Sequence, residues 1–119
     1  MEYLFVIWEG GAGASKAKRD EVMAEMGKYA SDLVGKGKLK GGAPLQPTAQ
    51  SVTVRKRRGK VSTVDGPYIE TKEVIGGYFV VEAGSLEEAV EIAKDCPAAG
   101  YGAIEVREQM EMGSGMDAG

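Results

Sequence analysis

The sequence predicts an α+β fold of the ferredoxin-like type, read as β-α-β, a hairpin, then β-α-β. Three observations carry this reading. Residues 2–8 and 74–82 are apolar at both odd and even positions, which marks central strands covered on both faces. Each is followed by a segment with helical spacing of its apolar residues. Glycine and proline clusters separate these pieces at the lengths expected of an α+β sandwich. Two helices cover only one face of a sheet, so the second face of such central strands needs another cover. A second copy of the chain is the simplest one, and the expected assembly is a homodimer with its sheets packed face to face.

The elements follow in order. In residues 2–8 the alternate sets are Tyr3, Phe5, Ile7 and Leu4, Val6, Trp8. Gly10, Gly11 and Gly13 make the next loop, and Ser15 is placed to cap a helix over residues 16–36. Val22, Met26, Tyr29 and Leu33, with Met23, Ala30 and Val34, form one stripe on that helix, and Gly35 and Gly37 end it. Residues 38–45 form a short strand in which Gly41 and Gly42 permit close backbone contact, before Pro44 and Pro47 break regularity. Residues 51–55 and 60–64 pair as a hairpin with Arg58-Gly59 near its turn.

Residues 65–73 are a loop and 74–82 a strand. Ser85 and Glu88 form a capping box for a second helix that turns Leu86, Ala89, Val90 and Ala93 to the core, and Pro97 stops it. In the last strand, 102–108, Ile104 and Val106 share one face, and Glu105 and Arg107 take the other. Residues 1–108 are expected to form one domain, with 109–119 as a mobile, glycine-rich tail.

Composition narrows the chemistry. A length of 119 residues suits one domain with one core. Its 43% apolar and 28% charged residues are ordinary for a globular protein. A formal charge of −3 gives no reason to expect nucleic acid or a membrane surface as partner. No apolar run approaches the ~20 residues of a membrane span, and residues 4–8 are too short for the core of a signal peptide. With one cysteine there is no internal disulfide, and the expected location is cytoplasmic. The absence of histidine removes imidazole metal ligands, a histidine general base and a proximal haem ligand. No loop motif supports an all-oxygen metal site, so neither metal nor cofactor is expected.

The densest group of polar residues is Asp65-Gly66-Pro67-Tyr68, followed by Glu70-Thr71-Lys72-Glu73 and Gly76-Gly77. Two readings of Asp65 stand side by side. It accepts hydrogen bonds from its own loop backbone, or it anchors a ligand or acts as a base at a pocket mouth. Base work near neutral pH would require burial or a neighbouring carboxylate, and Glu70 and Glu73 are the candidates for that neighbour. Thr71 can bond backbone or ligand. Lys72 reads as a solvated cation, with an anionic ligand as the alternative. Gly76-Gly77 implies close approach of a neighbour inside a strand, with sheet packing the favoured cause.

Arg55-Lys56-Arg57-Arg58 with Lys60 reads as a solvated hairpin tip, since no aromatic residues interleave it for base stacking. Cys96 lies at the negative end of the second helix, which disfavours thiolate, and reads as a structural thiol. Tyr3, Trp8, Tyr78 and Phe79 read as core or dimer interface, with a pocket between sheet and helix as the alternative.

An ordered series of short motifs resembles the YCII-related proteins, in particular their DGPF branch. The series runs Leu45-Gln46-Pro47, Thr53-Val54-Arg55, Val64 to Tyr68 (with Tyr68 where Phe is usual), Glu70 to Glu73, Gly76-Gly77-Tyr78, Cys96-Pro97 and Ile104 to Arg107. The resemblance spans roughly residues 1–108. It implies a dimeric α+β barrel of ferredoxin-like protomers and assigns no one reaction. Some DGPF-type proteins are genomic companions of extracytoplasmic-function sigma factors, which implies a regulatory setting. Related YCII proteins carry a His-Asp pair proposed as an active site, and this chain has no histidine to form it.

Three functional readings follow. The first is a dimeric small-molecule-binding or regulatory module, its pocket fringed by Asp65 and Glu70. The second is a cofactor-free isomerase or lyase working through loop carboxylates. The third is a scaffold for protein partners. The candidate ligand-binding residues are Asp65, Glu70, Thr71, Lys72 and Glu73, with Asp65 the candidate for catalysis.

Overall fold

A computed structural model describes residues 1–10, 16–69 and 72–111. Six strands and two helices occur in the order β1 (Glu2–Gly10), α1 (Lys16–Gly35), β2 (Leu39–Pro44), β3 (Val52–Arg57), β4 (Lys60–Asp65), β5 (Glu73–Glu82), α2 (Leu86–Lys94) and β6 (Gly102–Glu108). Short 3₁₀ turns at Thr48–Gln50 and Pro97–Gly100 join them. The main sheet has the order β2-β5-β1-β6 with every neighbouring pair antiparallel. That is the ferredoxin-like arrangement, with β1 and β5 central as the two-faced apolar pattern requires. The expected cap at Ser15, the glycines at 11 and 13, and the tail from 112 fall outside the described residues.

Strand alternation sorts β1 into two faces. Tyr3, Phe5 and Ile7 are buried against the helices, while Leu4, Val6 and Trp8 are only half-buried on the opposite face. On β5 the buried set is Gly77, Phe79 and Val81. Phe5 lies opposite Phe79, and Tyr3 opposite Val81. Ala89 and Ala93 of α2 complete the core, their small side chains allowing the helix to sit close to the sheet. Tyr29 of α1 stacks on Phe79 with ring centroids 6.0 Å apart, and its hydroxyl donates to the Ile92 carbonyl at 2.7 Å. This bond joins the two helices across the core.

The helix ends follow sequence chemistry. Gly37 has φ +70, and Lys38 N–H donates to the Leu33 carbonyl at 2.9 Å, so α1 ends in a Schellman cap. At α2 the Ser85 hydroxyl accepts from Glu88 N–H at 3.1 Å. The Glu88 carboxylate reaches Gly84 N–H rather than Ser85 N–H, at 2.6 Å, and also accepts from Lys38 Nζ at 2.6 Å. The Lys38 ammonium, followed by the Gly84 N–H, holds the Glu88 carboxyl below the usual glutamate range.

A carboxyl whose folded pKa is lowered adds stability above its ordinary range, about 4.3, and loses it as pH falls toward the lower folded value. Glu88→Gln is therefore expected to flatten the acid limb of the stability–pH curve below that range and to leave its shape above neutrality unchanged. Chemical denaturation across pH 3–9 checks this.

One expectation for α1 changes. Tyr29 and Leu33 are buried and Val22, Met26 and Ala30 half-buried, but Met23 and Val34 are exposed. The stripe is wider than the surface available to it. The carboxyl-terminal half of α1 lies on the core, and its first half overhangs a cleft.

The β3–β4 hairpin forms a separate two-stranded sheet, with β3 paired only to β4 among the described strands. Arg58 and Gly59 have φ +50 and +80, the two left-handed residues of a tight hairpin turn. Gly66 N–H donates to the Ser51 carbonyl at 2.7 Å and closes the base of the hairpin. The radius of gyration is 16.3 Å, against about 13.5 Å for a compact chain of this length. The hairpin is an arm extending from the body.

Candidate functional site

A cleft of about 920 Å³ opens where β1, β5 and β2 run beneath the overhanging half of α1. Its apolar wall is made by Ile7, Val22, Met23, Met26 and Phe79. Its polar groups are Glu9, Arg19, Gln46, Thr48 and Lys72, with Tyr101 beside the second 3₁₀ turn. Apolar walls with a few placed polar groups are what a small organic ligand requires.

Glu9 extends the Tyr3-Phe5-Ile7 face of β1 into the cleft, and an irregularity in the sheet places Gly76 beneath it. Along β1, Ile7 pairs with Gly77 but Trp8 pairs with Ile75, so the register slips and Gly76 has no partner on β1. The Glu9 side chain lies directly over Gly76, where a Cβ would overlap its carboxyl group. On the other side, Gly76 accepts a hydrogen bond from Leu45 N–H at 2.8 Å. At Gly77 a Cβ would meet the Ala43 carbonyl oxygen at 3.0 Å, so β2 backbone explains that glycine. The pair thus has two causes. Sheet packing accounts for Gly77, and the cleft carboxylate accounts for Gly76.

The residues singled out by sequence distribute unevenly. Lys72 is exposed and lines the cleft. Glu73 opens β5 opposite Gly10 and is exposed. Asp65 ends β4 opposite Val52 on the arm, is exposed, and does not line this cleft. Glu70 and Thr71 lie outside the described residues. The turn after Asp65 is held by main-chain and threonine contacts: Gly66 has φ +107, and Thr53 Oγ1 donates to the Gly66 carbonyl at 2.8 Å. Tyr68 lies beneath the Arg55 guanidinium, 4.6 Å from Cζ to the ring centroid.

Glu9 and Arg19 were not among the sequence candidates. Glu9 reads as the polar end of an apolar strand and Arg19 as a solvated helix residue. The available signal was Gly76, a glycine inside a central strand that calls for a close neighbour.

Cys96 is buried beneath the cleft wall, its Sγ 3.6 Å from Met26 Sδ, and burial pushes its thiol pKa up. It is packing, not a nucleophile. Among the described residues no group of three or more Cys, Asp or Glu side chains converges as a metal site. No described helix is long and apolar enough to cross a membrane.

Comparison with known proteins agrees with this architecture. An uncharacterized protein of Rhizobium meliloti (strain 1021) is 36% identical over 95 residues, spanning 78% of this chain and 77% of that protein. Among solved structures, the 5-chloro-2-hydroxyhydroquinone dehydrochlorinase of Burkholderia phenoliruptrix AC1100, in complex with 2,5-dihydroxybenzoquinone, superposes with a TM-score of 0.53. It is 21% identical, and the match covers 93% of this chain and 95% of that one, a likeness of fold. The family described as the YCII-related domain matches residues 1–113, and the chain belongs to that family.

Proposed function

We propose that the protein is a dimeric small-molecule-binding module whose ligand is a small organic acid with an apolar body. The observation that carries this reading is the cleft itself. Arg19 and Lys72 supply cations beside an apolar wall of Ile7, Met26 and Phe79, and Glu9 supplies an acceptor on the strand side. A carboxylate on the two cations and a hydroxyl or amine donor on Glu9 would satisfy all three charges. Of the carboxylates named from the sequence, Glu73 opens β5 beside the cleft residue Lys72 and would shape the mouth.

The dimer reading rests on the second sheet face, where Leu4, Val6, Trp8, Tyr78 and Val80 form an apolar surface with no helix over it among the described residues. A second sheet packed on this face would build the dimeric α+β barrel. Sedimentation showing monomer alone at micromolar concentration would remove it.

The binding test is a thermal-shift panel of aryl and alkyl carboxylates with and without a hydroxyl group. A true ligand at a hundredfold excess over its Kd stabilises by about 2.7 kcal/mol. In Gly76→Ala the new Cβ pushes the flexible end of Glu9 out of place while the strand persists. Its melting temperature should stay near wild type. Affinity for the hydroxylated ligands should fall about ten- to a hundredfold, the value of one hydrogen bond to a charged group. Unchanged affinity would exclude Glu9 from binding.

A second reading is favoured by the same residue. Glu9 is a half-buried carboxylate facing an apolar wall, which suits a proton acceptor in a cofactor-free isomerase or lyase. Turnover of a stabilising ligand that disappears in Glu9→Gln would support the enzyme. Stabilisation without turnover supports the binder.

A further inference from the structure

One glycine stands inside α1, and the fold itself does not call for it. Gly27 is the only glycine between Lys16 and Val34. An interior glycine weakens a helix relative to alanine, because it loses the most backbone freedom on ordering. Two structural causes account for other glycines of this chain. One is a positive φ, as at Gly37, and the other is a neighbour packed where a Cβ would stand, as at Gly76 and Gly102. Neither holds at Gly27. Its φ is not positive, and a Cβ built there meets nothing within 4 Å.

The open space belongs to the cleft. Met23, Met26, Gly27 and Ala30 line it at the three- and four-residue spacing of one helix face. Met23 and Ala30, about one turn to either side, carry side chains, so Gly27 leaves a notch in the roof. The notch lies inward of Met23, toward the half of α1 that holds the buried Tyr29 and Leu33. A slender alkyl chain lying along Ile7 and Phe79 would leave it empty, whereas a broader body reaches it. The surfaces nearby are the Met23 and Met26 thioethers with Phe79 and Tyr101, and these are the kinds that pack on a planar ring.

We propose that Gly27 is a specificity-determining residue, which widens the cleft so that the apolar body of the bound acid is a ring. The proposal rests on the binding reading above and names the shape of its ligand. Alanine is the better helix former at this position, so the glycine gives up stability and leaves ligand space.

The test uses the full chain with Gly27→Ala and Gly27→Leu, both of which introduce better helix formers. Without ligand, Gly27→Ala should melt about 3–6 °C above wild type, and Gly27→Leu should melt no lower than wild type. Calorimetric titration then compares a ring acid, para-hydroxybenzoate, with a chain acid, hydroxyhexanoate. Wild type should prefer the ring acid. Its affinity should fall about tenfold in Gly27→Ala and about a hundredfold in Gly27→Leu, as overfilling a packed site does. Affinity for the chain acid should stay within about threefold, less than the effect of one methylene group. Ring binding that survives both substitutions, or equal losses for both acids, overturns the role of Gly27 and leaves the binding reading standing. A wild-type preference for the chain acid overturns the ring. Variants less stable than wild type would make Gly27 a requirement of the fold and overturn the proposal. If wild type binds neither these acids nor any other carboxylate of the thermal-shift panel, the binding reading falls and this proposal falls with it.

Discussion

Replacing Phe5 with alanine is expected to destabilise the protein by about 3–5 kcal/mol, the cost of an aromatic truncation in a closed core. Phe5 is fully buried, sits mid-strand in β1, and faces Phe79 across the central strand pair. The surrounding groups cannot collapse into the space. Ala89 and Ala93 have no reach, and Phe79 is held by its stack on Tyr29. A small domain has only about 5–15 kcal/mol in all. The urea midpoint should therefore fall steeply, with the slope of the transition preserved. A loss below about 1 kcal/mol would mean that the core relaxes far more freely than its packing implies.

Gly42→Ala is expected to be the most damaging change outside the core. Gly42 has φ +145, where L side chains are rarely found, and an added Cβ would lie 2.5 Å from both Phe79 Cδ1 and the Tyr78 carbonyl oxygen. The backbone conformation costs about 1–3 kcal/mol, and the overlap with a neighbouring strand about as much again, 1–3 kcal/mol. Neither contact can be relieved by a flexible side-chain end. The edge strand β2 should loosen from β5 and take with it Ala43, Pro44 and Leu45, which form one wall of the cleft. Hydrogen exchange should show β2 amides losing protection before those of β1, and stabilisation by carboxylate ligands should vanish together with that protection. Retained β2 protection in a folded Gly42→Ala protein would refute the account.

Gly42 contrasts with Gly76. At Gly42 the obstacle is backbone and a packed ring, so substitution damages the fold. At Gly76 it is the movable carboxyl of Glu9, so substitution disturbs the cleft and spares the strand. Two glycines of similar appearance in the sequence thus report on different properties.

The division between what was legible in the chain and what was not follows from range. Apolarity at both odd and even positions of β1 and β5, the Ser85 cap, the glycines that end α1 and the Arg58-Gly59 turn are local signals. They act through backbone sterics and neighbouring residues, and they determined the elements, their order and the fold class. The family followed from the ordered motifs for the same reason. The cleft is different. It joins Glu9, Arg19, Met26 and Lys72 from three separate segments. Their meeting depends on the pairing of β1 with β5 and on how far α1 overhangs the sheet. The sequence by itself determined a ferredoxin-like member of its family with two apolar sheet faces. Only the tertiary structure decided that Lys72 faces a cleft while Asp65 rides on an arm, because the β1–β5 register and the hairpin's detachment are set by long-range packing.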